Sequence, residues 1–142
     1  MKLVVIDGQS GRTGALLVER VRAAGLPLEL LAVGTNAIAT AAMMKAGAQR
    51  GATGENPVLV ACRDAGIIAG PIGILMAGAL MGEITPAMAV AVGQSRAQKV
   101  LLPVNSNCGK IVVGVRDLTL SQIMDEAVEV LRKLCGLSAQ PL

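Results

Sequence analysis

The segment Gly8-Gln9-Ser10-Gly11-Arg12-Thr13-Gly14 has residue types and a spacing that suit the binding of a phosphate group. Its glycines follow the pattern G-x-x-G-x-x-G, between an apolar β-branched run and a helical pattern. Main-chain N–H groups at the start of a helix attract anions, and glycines let an anion approach the main chain closely. The sequence therefore predicts a phosphate-binding loop whose N–H groups are free to bind the ligand.

The side chains of this loop add further donors. Ser10 and Thr13 supply hydroxyl groups, and Arg12 supplies a guanidinium group that suits a terminal phosphate. Gly14 is followed by Ala15 and not by lysine, which excludes a P-loop. The alternative interpretation is a tight strand-to-helix turn that needs glycine only for its geometry.

The start of the chain resembles a known dinucleotide-binding unit. Val4-Val5-Ile6 followed by residues 8–14 resembles the first strand and helix of atypical and extended short-chain dehydrogenases, and the NmrA-like group in particular. The resemblance implies NAD(P) binding, with the loop glycines in the pyrophosphate turn and Arg12 near an adenosine 2′-phosphate.

Two departures from that pattern bear on the ligand. Asp7 precedes the first glycine, where its carboxylate would either repel a pyrophosphate or fix the loop. The second predicted strand ends in residues 33–36 (VGTN) and carries no acid for the ribose hydroxyls, which disfavours NAD and, with Arg12, favours NADP or another nucleotide. The absence of tyrosine excludes the Tyr-Lys pair of the classical reductases.

Over its whole length the chain is similar to a family of short, uncharacterised bacterial Rossmann-like proteins. The matching segments are residues 34–40 (GTNAIAT), 50–56 (RGATGEN) and 70–73 (GPIG). This second resemblance implies a fold but no activity.

The composition excludes several kinds of chemistry. The 142 residues, predicted to form a single domain over 1–142, are 53% hydrophobic and include no Phe, Trp, Tyr or His. Imidazole bases, phenolic acids, aromatic base stacking and His-ligated metals are therefore excluded, and we predict no metal site. The net charge of +3 is spread thinly, which disfavours nucleic acid as a partner. Methionines, including Met43, Met81 and Met88, are predicted to replace aromatic residues in the core.

Predicted strands and helices alternate along the chain. Strands are predicted at residues 2–7, 28–33, 67–69, 100–104 and 111–115, with a loop at 51–54 and helices that begin near Thr13, Asn36, Asn56, Thr85 and Thr119. This alternation predicts an α/β fold, namely a Rossmann-like three-layer sandwich with a mostly parallel sheet. The short polar turn before the last strand predicts an antiparallel C-terminal hairpin.

Polar residues follow each predicted strand. In open α/β sheets ligands bind beyond the carboxyl ends of the strands, so these segments are expected to meet on one rim. They are residues 7–12, 34–36, 53–56, 70–73, 83–85 and 105–108. From this rim we add Thr35, Asn36, Gly70 and Pro71 to the predicted ligand-binding residues.

Several rim residues also have a purely structural explanation. Asn36, Asn56 and Thr85 fit helix N-caps. Glu55 and Glu83 fit either acid–base chemistry or the first turn of a helix, whose dipole a carboxylate complements.

The cysteines and the most apolar stretch indicate a cytoplasmic protein. Cys62, Cys108 and Cys135 have no CxxC spacing and are expected to be reduced thiols, of which only Cys108 lies in a polar setting. Residues 65–82 carry no charge, but their frequent glycines favour a buried strand and a turn over a membrane span.

Three functions remain open at this point. The first is a small cytoplasmic nucleotide-binding protein, with NADP as the predicted cofactor, that acts as a sensor or regulatory module because no second substrate-holding region is evident. The second is a small enzyme on a phosphorylated metabolite that uses Asp7, Glu55 or Glu83. The third is a structural subunit whose glycine loop is only a turn. The mean hydropathy of +0.61 predicts a homodimer.

Overall fold

The computed structural model describes residues 1–104 and 109–138. Its strands are β1 (Lys2–Asp7), β2 (Glu29–Gly34), β3 (Arg50–Thr53), β4 (Ile67–Pro71) and β5 (Gln98–Leu102). Its helices are α1 (Arg12–Ala23), α2 (Ala37–Ala46), α3 (Glu55–Ala61), α4 (Pro86–Gln94) and α5 (Leu120–Leu134), and a 3-10 turn covers Ile72–Leu75.

The five strands form one parallel sheet in the order β3-β2-β1-β4-β5. Helices α1, α2 and α5 cover one face, and α3 and α4 cover the other. This is the predicted Rossmann-like three-layer sandwich. The strand order reverses between β1 and β4, and their carboxyl ends flank the crevice where folds of this kind bind ligands.

The central strand β1 is buried on both sides because helices cover both faces of the sheet. Leu3 and Val5 pack into the core under α1, α2 and α5, whereas Val4 and Ile6 pack into the core under α3 and α4. Full burial of each such side chain contributes about 1.5–3 kcal/mol. Strand β1 is therefore a rigid support for the loop that follows it.

Methionines fill the core only in part as predicted. Met43 and Met88 are buried, and Met124 joins them on α5. Met81 is 93% exposed and fills no core space, because it lies at the tip of a loop.

The predicted C-terminal hairpin is wrong. Residues 111–115 form no strand and turn at Val113 and Gly114. Ile111 and Val113 are each 94% exposed, and Val112 and Val115 are about half exposed. Strand preference reflects packing against neighbours, and the described residues cover this β-branched segment only in part.

Two further predictions on the β3–α3 segment are wrong. Arg50–Thr53 is an edge strand paired with β2 rather than a loop, and a Cβ on Gly51 would lie 2.7 Å from the sulfur of Met44. Helix α3 begins at Glu55 with Gly54 as its N-cap, so Asn56 is not the cap. In contrast, the predicted caps at Asn36 and Thr85 are confirmed.

The uncharged stretch at residues 65–82 folds as the favoured interpretation predicts. It contains β4 and the 3-10 turn, followed by a glycine-containing loop. Over residues 1–104 and 109–138, no helix combines the length and the apolar character needed to cross a bilayer.

Candidate functional site

Residues 8–14, called the loop below, run from the end of β1 into the first turn of α1 at the point where the strand order reverses. Gly11 is the N-cap of α1 with φ +72°, and a Cβ atom there would lie 2.6 Å from the Cα of Ala39 on α2. A Cβ on Gly14 would lie 2.6 Å from the sulfur of Met43, and one on Gly8 would lie 2.5 Å from the Thr35 hydroxyl oxygen. Close packing alone therefore explains all three glycines.

Asp7 holds this loop through hydrogen bonds from two of its N–H groups. Its side chain is buried, and its carboxylate accepts hydrogen bonds from the N–H groups of Gly8 (2.8 Å) and Gly14 (2.7 Å). Burial raises the pKa of Asp7; the two N–H groups offset part of that rise, and the nearby Glu83 carboxylate adds to it. Of the two roles considered for this carboxylate, the one observed is to hold the loop.

Glu83 lies on top of the same loop. Its Oε1 accepts hydrogen bonds from the Gln9 N–H (3.0 Å), the Thr35 hydroxyl (2.6 Å) and the Asn36 side-chain amide (2.6 Å). Its Oε2 lies 3.2 Å from the Gln9 nitrogen. Burial raises the pKa of Glu83, but these hydrogen bonds outweigh it and hold the pKa below its usual value. The carboxylate is therefore ionised at neutral pH.

The expectation of free loop N–H groups is wrong for much of the loop. Carboxylates accept from Gly8, Gln9 and Gly14, and the Gly8 carbonyl accepts from Gly11 at 2.8 Å. The Arg12 N–H makes only a long contact, 3.4 Å, with the Ser10 hydroxyl. Within residues 1–104 and 109–138, the N–H groups of Ser10 and Thr13 have no acceptor.

Asn36 is both a cap and part of the site. Its Oδ1 accepts the N–H of Ala39 at the start of α2 (2.9 Å), while its amide donates to Glu83 and to the Gln9 carbonyl (3.0 Å). With Thr35, it connects the end of β2 to the loop. The structure thus brings together Gln9, Thr35 and Asn36 as predicted.

Gly70 and Pro71 lie elsewhere on the predicted rim. Both are buried at the end of β4, and a side chain on Gly70 would collide with the Ile6 carbonyl. Gly70 therefore allows β4 to lie close to β1. Among the described contacts, neither residue has a hydrogen bond to Glu83 or to the residues that bind it, which are Gln9, Thr35 and Asn36.

The remaining predicted residues have varied outcomes. Glu55 lies in the first turn of α3 as expected. Glu83, in contrast, precedes the N-cap of α4 and lies outside the first turn of that helix. Burial raises the pKa of the Cys62 thiol to about 11, with Lys99 acting in the opposite direction, so this thiol stays protonated. Residues 105–108, with Cys108, lie outside the described part of the chain.

Leu80 also belongs to the site, although no sequence pattern predicts it. It is 3% exposed, and its side chain lies 3.0 Å from where a Gly8 Cβ would stand. Leu80 and Met81 both have φ of +55°, in the left-handed region, so the loop that carries Glu83 bends sharply back toward β1. No local pattern signals a contact made over such a sequence distance.

Comparisons with known proteins bear on the family and the fold. A family model described as a domain of unknown function (DUF3842) matches residues 2–136, which confirms the predicted resemblance to an uncharacterised family. A search of curated proteins gave no match. The crystal structure of a dodecameric FMN-dependent Ubix-like decarboxylase from Escherichia coli O157:H7 is similar over 100% of this chain and 99% of that chain, with 14% identity and a TM-score of 0.45. The NmrA-like resemblance stays a prediction.

Gly11→Ala is expected to destabilise the protein more than Gly25→Ala. Both glycines have positive φ, but only Gly11 has a neighbour within 4 Å of the added Cβ. The left-handed conformation costs both variants about 1–2 kcal/mol, and overpacking against α2 adds about 1–3 kcal/mol for Gly11→Ala alone. Urea unfolding followed by far-ultraviolet circular dichroism measures the difference. Equal losses in the two variants would contradict the close approach of α2.

Glu83→Gln is expected to lower the free energy of unfolding at neutral pH, and its deficit relative to wild type should shrink in acid. Because the folded pKa of Glu83 lies below its unfolded value, its stabilisation is present above that unfolded value and is lost as the pH falls through the folded pKa. Asp7, whose pKa is raised, titrates with the opposite sign, since it gains stability as the pH falls.

Urea unfolding of wild type and Glu83→Gln between about pH 3 and pH 7 measures this deficit. Glu19→Gln is the matched control, because it removes the same charge from an exposed residue in the middle of α1 without a hydrogen bond among the described contacts. A deficit that grows in acid would contradict the assignment.

Proposed function

The chain belongs to the DUF3842 family, and we propose that it is a small sensor or regulatory module that binds a phosphate-bearing nucleotide of the NADP type at the start of α1. The observation that supports this proposal is a set of hydrogen-bond donors in the loop that have no acceptor within the described residues. The N–H groups of Ser10 and Thr13 have no acceptor within the described residues, and the Arg12 side chain makes no hydrogen bond or ion pair there. These donors suit a phosphate.

The position of these donors supports the proposal. They stand where the strand order reverses, at the carboxyl end of β1. Helix α1, with 12 residues, adds a partial positive charge at its N-terminus, where its first turn carries no acidic residue.

The choice between NADP and NAD rests on Arg12. The argument from a missing acid at the end of β2 no longer holds, because Glu83 brings a carboxylate within 2.6 Å of the Thr35 hydroxyl. The exposed Arg12 guanidinium still favours a ligand with an additional phosphate. NADPH and NADH must therefore be compared directly.

A sensor role is favoured over hydride transfer. The described strands all belong to one sheet, and the described helices cover its two faces. Hydride-transfer enzymes hold a second substrate in a further region, and no such region stands apart from the sheet within residues 1–104 and 109–138. We place the protein in the cytoplasm, which the free thiols of Cys62 and Cys135 favour.

NADPH is expected to raise the unfolding temperature of the wild type, and Arg12→Ala is expected to abolish the increase. A ligand at 100 times its dissociation constant adds about 2.7 kcal/mol to the free energy of unfolding. Differential scanning calorimetry with NADPH, NADH, ATP and FMN measures the effect. FMN is included because the similar crystal structure is that of an FMN-dependent protein. Arg22→Ala, which removes the same charge from the far end of α1, should retain it. The absence of a shift with all four nucleotides would refute the proposal.

We also propose that the protein is a homodimer that covers the apolar segment 111–115. Ile111 and Val113 are 94% exposed and Val112 and Val115 about half exposed, at 45% and 48%. Light scattering is expected to give the dimer mass, and Val113→Asp the monomer mass, because a charge in an apolar interface is costly. Ile38→Asp, at an exposed residue of α2, is the control. A monomeric wild type at all concentrations would contradict this proposal.

A further inference from the structure

Glu83 occupies a position built to hold an oxyanion. Gln9, Thr35 and Asn36 donate to its Oε1 from the loop after β1, from the end of β2 and from the N-cap of α2. We define these donors as the oxyanion seat: the Gln9 N–H, the Thr35 hydroxyl and the Asn36 side-chain amide. Charge-assisted hydrogen bonds of this kind are among the strongest in proteins.

The occupant of the seat is held less firmly than the seat itself. Thr35 and Asn36 are held by the sheet and by α2, since Thr35 donates its N–H to the Asp7 carbonyl at 3.0 Å and Asn36 caps its helix. Apart from its bond to Glu83, Gln9 is held among the described contacts only by its carbonyl, which accepts the Asn36 amide at 3.0 Å. Glu83 is only partly buried, and it follows a bend in which Leu80, Met81 and Gly82 all have positive φ. Leu80 and Ile84 are buried and hold the backbone on either side of Glu83, so an exchange at the seat requires movement of the Glu83 side chain alone.

When the Glu83 carboxylate leaves the seat, the three donors lose their acceptor. An oxyanion of a ligand can accept the same hydrogen bonds, so the exchange does not change their number. The seat also lies next to the loop donors that have no acceptor within the described residues, because Gln9 and Ser10 are consecutive residues. A ligand with two linked oxyanions can therefore place one on the N-terminus of α1 and the other in the seat.

The charge around the seat favours a single negative charge on the group that it takes. Glu83 itself carries one negative charge. The Asp7 side chain lies nearby, because the adjacent N–H groups of Gly8 and Gln9 donate to Asp7 and to Glu83 respectively, so negative charges on the two groups repel each other. A dianion in the seat would double that repulsion, and no cationic side chain has a described contact with the seat.

We infer that the Gln9, Thr35 and Asn36 donors are a second ligand subsite for a monoanionic oxyanion, a carboxylate or a phosphodiester, and that Glu83 is its resident competitor. The inference rests on the proposed function only in identifying this oxyanion as part of the nucleotide. The subsite itself can be tested without any nucleotide.

Chemical rescue of Glu83→Ala tests the seat. The variant is expected to unfold several degrees below the wild type, and sodium acetate, compared with sodium chloride at equal ionic strength, is expected to restore part of the loss. Calorimetry of wild type, Glu83→Ala and Glu55→Ala gives the comparison, in which acetate should act specifically on Glu83→Ala. An equal response of all three proteins would overturn the inference, whether or not a nucleotide binds.

Glu83→Gln covers the case in which Glu83→Ala does not fold. Nuclear magnetic resonance of the Gln9 N–H should show a saturable shift with acetate in Glu83→Gln and none in the wild type, and an unchanged Gln9 resonance in both would overturn the inference. Dimethyl phosphate, a monoanion, should act like acetate and more strongly than methyl phosphate, whose charge is about −1.5 to −2 at neutral pH. The reverse order would overturn the preference for a single charge.

Discussion

The hydrogen bonds from main-chain N–H groups to the buried carboxylate of Asp7 determine the rest of the site. A carboxyl group buried at the end of a central strand is costly unless donors surround it, and the N–H groups of Gly8 and Gly14 supply them. These bonds tie both ends of the loop to β1. Ser10 and Arg12 are consequently exposed, and Thr13 partly exposed, on a support without the freedom that a glycine-rich loop would otherwise have.

Close backbone approaches make this support possible. Gly11 lies against the backbone of α2, and Gly14 lies against Asp7 and Met43. Small residues at these contacts let two helices and a strand meet at one point, as expected of a chain rich in alanine and glycine. The same glycines that suggest ligand binding thus serve packing, so the pattern alone does not distinguish the two roles.

Local patterns predicted the fold well because each element carries its own signal. The apolar β-branched run of β1, the N-caps at Asn36 and Thr85 and the predicted helix start near Thr119 all lie within a few residues of the feature that they specify. Residues 111–115 failed because a β-branched run forms a strand only beside a partner, and β3 was missed because its glycine resembles a turn. The sequence predicted that Glu83 lies on the rim, but it could not predict the hydrogen bond between Glu83 and the Gln9 N–H. That contact joins residues 74 positions apart and depends on a loop with positive φ angles.

A core packed by aliphatic side chains and methionines has a spectroscopic consequence. With no tyrosine or tryptophan, the polypeptide contributes almost no near-ultraviolet absorbance and no intrinsic fluorescence. Any chromophore retained during purification would stand out against a transparent background. The colour of the preparation therefore reports directly on what the molecule carries.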